Sequence, residues 1–217
     1  MRPASQERLL LAVPAGALEV VVSDPRAEDP DDRPRGVALI AHPHPLYGGT
    51  LDNKVVQTLA KTFFAQGYVV ARMNFRGVGQ SQGAHDQGIG ETDDLLRLAA
   101  YMRERAGPLP LLLAGFSFGS FVQARVARAV AQQGHTVQRL VLVAPAVGRF
   151  DVGAVAPGTL VIHGEQDDVV PLADVLTWAR PQQLPVVVLP GAGHFFHGNL
   201  VELQRIIQDS CPCLKKH

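Results

Sequence analysis

Two β-rich segments open the chain, around Arg8 to Val13 and Ala17 to Ser23, with the turn-forming Pro14-Ala15-Gly16 between them, a pattern that predicts an antiparallel hairpin. Asp24 to Arg35 is dense in Pro, Asp and Arg and holds almost nothing to bury, so it is expected to be an exposed loop. Short apolar runs then alternate with helical patterns. The runs are Val37 to Ala41, Tyr68 to Asn74, Leu111 to Gly115, Leu140 to Ala144, Thr159 to Gly164 and Pro185 to Leu189. The helical patterns are Lys54 to Gln66, Glu91 to Arg105, Phe118 to Gln133, Leu172 to Arg180 and Asn199 to Gln208. This alternation implies an α/β fold, a mostly parallel sheet with helices on both faces. The strands are rich in Val, Leu and Ile without strict alternation, as expected where both faces are covered.

Chemistry in such a sheet belongs at the carboxyl ends of strands, where loops converge. His42 and His44 follow the Val37 to Ala41 run, Arg76 follows Tyr68 to Asn74, and Ser117 follows Leu111 to Gly115. Asp167 and Asp168 follow Thr159 to Gly164, and His194 follows Pro185 to Leu189, so five loops aim polar groups at one rim. Ser117 stands out because Gly115-Phe116-Ser117-Phe118-Gly119 joins an apolar strand to a helical segment. A serine hydroxyl is a poor nucleophile unless it is exposed on a sharp turn beside a base and amide donors. The two glycines permit that turn, removing Cβ atoms where strand and helix cross.

Composition narrows the setting. With 217 residues, 47% hydrophobic and 18% charged, the chain suits one well-buried core and is expected to be a single domain, 1–217. Twenty basic residues balance twenty acidic ones, which gives no electrostatic footprint for nucleic acid or an anionic membrane and argues against a polyanionic substrate. No apolar run approaches the roughly 18 residues of a membrane span, and Met1 to Glu7 lacks the apolar stretch of a signal peptide, so a cytoplasmic location is expected. Cys211 and Cys213 flank Pro212, too close to staple a fold, and read as a reduced tail.

The order Ser117, Asp167, His194 resembles that of the catalytic triad in the α/β-hydrolase superfamily. Arg76-Gly77-Val78-Gly79-Gln80-Ser81 is similar to that family's Arg-Gly-x-Gly-x-Ser loop, His163 to Pro171 to its acid loop, and Gly193-His194 to its histidine loop. His42-Pro43-His44-Pro45-Leu46-Tyr47-Gly48-Gly49 with Asp52-Asn53-Lys54 is similar to a compact bacterial branch of serine hydrolases. The resemblance implies that Ser117 attacks a carbonyl, His194 moves its proton and Asp167 orients His194, with His197 the alternative to His194 and Asp168 the alternative to Asp167. The Phe118 amide is an oxyanion donor on this reading; a second comes from the loop after Ala41, where Pro43 and Pro45 have no N–H and Leu46 is the leading candidate. His42 and His44 either orient that loop or are satisfied polar residues at a strand end.

Tyr47, Phe116 and Phe195 are expected to line an acyl pocket. Only Pro145 to Gly158 separate two strands where many relatives carry a lid, so an open, lidless site is expected. The resemblance implies no metal or cofactor and a small-molecule acyl ester substrate. His42-x-His44 could hold zinc with His163, His194 or an aspartate, but no further closely spaced ligand motif follows. Asp93 and Asp94 read as first-turn acids of a helix, with Asp94 a partner for Arg76, and uncovered edge strands leave room for a homodimer.

Overall fold

The computed structural model describes residues 6–210. The strands are β1 (Gln6–Val13), β2 (Gly16–Ser23), β3 (Gly36–Ala41), β4 (Tyr68–Met73), β5 (Leu111–Phe116), β6 (Val137–Val143), β7 (Leu160–Gly164) and β8 (Val186–Leu189). The α-helices are α1 (Lys54–Ala65), α2 (Ile89–Ala106), α3 (Phe118–Gln132), α4 (Leu172–Ala179) and α5 (Leu200–Ser210). One sheet takes them in the order β1-β2-β4-β3-β5-β6-β7-β8. The hairpin β1–β2 and its junction with β4 are antiparallel, and every later pairing is parallel. This is the α/β-hydrolase fold without a lid: residues 144–159, which join β6 to β7, contain no helix.

Alternation of side chains along the central strands feeds two cores. Val37, Leu39, Ala41 and Leu113 point to the face covered by α2, α3 and α4, whereas Ala38, Ile40, Leu112 and Ala114 point to the face covered by α1 and α5. Each of these positions is fully or almost fully buried, and a Leu or Ile so placed contributes ~2 kcal/mol of transfer free energy. Helix α1 starts where the Asn53 side chain accepts a hydrogen bond from the Val55 amide at 2.9 Å, satisfying one of its orphan donors.

Helix α2 departs from expectation. It begins at Ile89, two residues before the predicted start, so Asp93 and Asp94 are not first-turn acids; Glu91 is. Its carboxylate accepts from the amides of Asp86 at 2.9 Å and Gly88 at 2.8 Å, and the Asp86 carboxylate accepts from the Gly90 amide at 3.0 Å, which lets a helix start at a glycine-rich segment whose N-cap, Gly88, has no side chain. Asp94 is buried instead and takes both its oxygens to Arg76, at 2.8 Å each, while the same guanidinium donates to the Gly90 carbonyl at 2.9 Å. Arg76 thereby ties the loop after β4 to α2. Ser81, at the other end of that loop, donates to the Asn74 carbonyl at 2.7 Å and accepts from the Glu19 amide at 2.9 Å. The Arg-Gly-x-Gly-x-Ser segment is thus a brace at the sheet's carboxyl edge.

Candidate active site

Ser117 sits between β5 and α3 with φ +55° and ψ −117°, a conformation that costs a non-glycine residue ~1–3 kcal/mol and persists only where its surroundings enforce it. Here they do. The Ser117 amide donates to the Val143 carbonyl at 2.9 Å, and Ser120 donates its hydroxyl to the carbonyls of Gly115 at 2.7 Å and Val143 at 3.0 Å. A Cβ on Gly115 would lie 2.3 Å from the Gly119 carbonyl oxygen, and one on Gly119 would lie 2.4 Å from that of Ala41. The crossing of strand, helix and the end of β3 is therefore closed to any side chain at either position.

The carboxyl ends of β5, β7 and β8 bring three distant residues together. His194 Nε2 is 3.0 Å from Ser117 Oγ, and His194 Nδ1 is 2.7 Å from Asp167 Oδ2. Asp167 Oδ1 accepts from the amides of Val169 at 2.9 Å and Val170 at 2.7 Å. Burial alone would raise the Asp167 carboxyl, but the hydrogen bonds from His194 and the Val170 amide and the nearby charges of His194 and His163 hold it below the ordinary carboxylate range. An ionised carboxylate at this place fixes His194 with its Nδ1 protonated, leaving Nε2 to accept a proton from Ser117. Ser117, Asp167 and His194 are each more than nine-tenths buried. Asp168 and His197, the alternatives, are exposed, and His197 stacks on Phe195 with centroids 5.9 Å apart.

His42 and His44 part company. His42 is wholly buried: its Nδ1 is 2.6 Å from the Pro43 carbonyl oxygen, and its Nε2 accepts from the Phe75 amide at 2.9 Å. Burial pushes its pKa down to about 4, the Pro43 bond opposing and His44 assisting, so the ring is neutral and pins the end of β3 to the end of β4. His44 turns the other way, its Nδ1 accepting from the Leu46 amide at 3.2 Å and its ring packing on Tyr47, His85 and Phe118, each 4.8 Å away, and on Phe150. Among the described residues no three His, Cys, Asp or Glu side chains converge on a metal-sized site. Cys211 and Cys213 lie outside the described residues.

Two expectations need correction. The Leu46 amide is turned inward to His44 rather than toward Ser117, because Pro45 starts a single 3-10 turn that closes on its own cap. The amides of Tyr47, Gly48 and Gly49 are also consumed inside this loop, by the carbonyls of His44, Pro45 and His44 respectively. Phe116 is wholly buried rather than lining a pocket: it belongs to the core under α1 and α5 and supports the His194 ring from 5.1 Å. Tyr47 and Phe195 are exposed, as is the Leu46 side chain, and the Phe195 ring stands edge-on to His194 at 5.1 Å. Sequence reasoning missed His85 and Phe150, which close the wall around His44 and Phe118; His85 Nδ1 lies 2.9 Å from buried Glu91. Neither sits in a motif, and only tertiary proximity reveals them.

Residues 33–157 match the family described as serine aminopeptidase, S33. A solved α/β serine hydrolase without lid from Xanthomonas campestris superposes with a TM-score of 0.85 at 38% identity, covering 96% of this chain and 94% of that one. An α/β serine hydrolase homologue from Coxiella burnetii gives a TM-score of 0.84 at 39% identity, with coverages of 95% and 97%. An uncharacterized protein of Rickettsia prowazekii is 32% identical over 187 residues, 80% of this chain and 77% of its own length.

Proposed function

Because this chain belongs to the α/β serine hydrolases of the serine aminopeptidase S33 family, we propose that it cleaves small-molecule carboxylic esters or thioesters through an acyl-enzyme on Ser117. The observation that supports this reading is the unbroken relay from Ser117 Oγ through His194 to Asp167, with both contacts at hydrogen-bond length. Ser117 Oγ bonds to the carbonyl carbon as its proton passes to His194 Nε2; His194⁺ then protonates the departing oxygen or sulfur as the acyl bond breaks. Water repeats the sequence on the acyl-enzyme and releases the acid.

The developing oxyanion needs two donors. The Phe118 amide opens α3, where the first N–H groups have no partner within the helix and the helix dipole favours negative charge. The second is the His44 amide, which supplies the N–H that neither Pro43 nor Pro45 has and that Leu46, Tyr47, Gly48 and Gly49 spend inside their own loop. Exposed Leu46, Tyr47 and Phe195 offer apolar surface to an acyl or aryl group, and the absence of a lid favours water over other acceptors.

The family's description raises a second reading, cleavage of an N-terminal peptide bond on the same triad. A fluorophosphonate probe with mass spectrometry tests the nucleophile: the adduct is expected on Ser117 and absent in Ser117→Ala. Paired aryl acetate and aminoacyl anilide substrates separate the readings. Turnover of the anilide alone would replace the ester proposal, and an adduct elsewhere would remove both.

A further inference from the structure

We propose a second ligand site at the opposite edge of the sheet, which takes a small amphiphilic carboxylate such as a medium-chain fatty acid anion. A cavity of about 450 Å³ lies between the C-terminal half of α3, the start of β6 and the loop before β7, inside the size range of small-molecule sites. Its aliphatic floor comes mainly from Ala124, Ala127, Ala131 and Val155. At 1.5 Å of rise per residue, Ala131 is about 20 Å along α3 from the Ser117 turn, so this cavity does not belong to the active site.

Two features point to an anion with an apolar body. Arg128, Arg139 and His135 line the cavity, and no Asp or Glu is among its described lining residues. Second, three of the last four carbonyls of α3 are occupied: those of Ala129, Val130 and Ala131 accept from the amides of Gln133, His135 and Gly134. Most of the helix's end carbonyls are thus spent on chain amides, and the guanidinium-bearing side chains Arg128 and Arg139 line the cavity. Arg128 is already held in place by the carbonyls of Val152 at 2.6 Å and Ala154 at 3.3 Å, and Arg139 by that of Ser210 at 3.3 Å, so neither guanidinium needs ordering on binding. A carboxylate matches the planar guanidinium fork, and the alanine floor takes the chain.

The test is titration of ¹⁵N-labelled full-length protein with octanoate, octanol and acetate, mapping amide shifts. Saturable octanoate shifts are expected at Ala127, Ala131, Val137 and Thr159, with octanol and acetate each at least about tenfold weaker because each lacks one of the two required features. Arg139→Gln is expected to weaken octanoate by about tenfold, and Ala131→Phe, which fills the mouth without touching the charges, to abolish these shifts. Octanoate shifts confined to Ser117, Gly119 and Gly193, equal binding of octanol, or an Ala131→Phe protein that still shows the shifts would each overturn the proposal. None of these readouts depends on catalysis.

Discussion

Protonating His42 should loosen the fold and the loop that carries the proposed second oxyanion donor. The neutral ring links the Pro43 carbonyl to the Phe75 amide, and a proton on Nε2 would set donor against donor at the latter contact. Its pKa falls from 6.5 to about 4 on folding, so the unfolded chain binds the proton more tightly. The sign follows: stability from this group is complete above pH 6.5, declines as pH falls toward 4, and is gone below that. At 1.36 kcal/mol per unit, the shift amounts to ~3 kcal/mol, and the ring is buried deeply enough that solvent does not screen it away. Urea unfolding between pH 7 and about pH 4, for wild type and His42→Gln, measures this. The variant keeps a polar side chain that does not titrate, so it should be less stable by ~1–3 kcal/mol at pH 7 while the two proteins converge toward about pH 4. Other groups titrating in that window, His163 among them, are common to both proteins and cancel. A stability gap that stays constant across the range would refute the buried neutral ring.

Asp167→Asn should lower kcat by about 10³–10⁴ with little change in KM, because the amide no longer fixes the required His194 tautomer; a loss under about tenfold, measured by steady-state kinetics, would remove Asp167 from the relay. Since its carboxyl is held low, the stability Asp167 contributes is present above the ordinary carboxylate range and lost only as pH falls through its depressed folded value. Arg76→Met should cost ~3 kcal/mol in urea unfolding, because Asp94, with a side chain only 2% exposed, would be left charged without its partner. Ser117→Gly should raise stability by ~1 kcal/mol, seen as a higher Tm, while abolishing the proposed hydrolysis, since glycine accepts the +55° φ that serine tolerates only under constraint. An unchanged Tm would mean the turn stores no strain.

How much of this was legible in the chain depends on whether a feature is written locally. The sheet and its two helical layers follow from apolar runs and helical spacing, and most boundaries fall within two residues of expectation. The start of α2 differs because Gln87-Gly88-Ile89-Gly90 reads as loop, and the carboxylates of Glu91 and Asp86, accepting from three amides between them, turn it into helix. β6 begins three residues early, at Val137, because polar Gln138 and Arg139 hid its exposed end. In the site, Ser117 was legible because its turn needs glycines at fixed offsets, and Asp167 and His194 because each follows a strand. Phe116 was misplaced because nearness to Ser117 in sequence outweighed the alternation of the strand, which turns that ring into the core beneath His194. Leu46 failed for the complementary reason: elimination of prolines correctly identified a donor-poor loop, but only the closed 3-10 turn reveals which amides it spends on itself. His42 joins the two kinds of information. Its place after β3 marked it, yet its work of clamping two strand ends is visible only from partners 1 and 33 residues away, and that clamp is what places the loop facing Ser117.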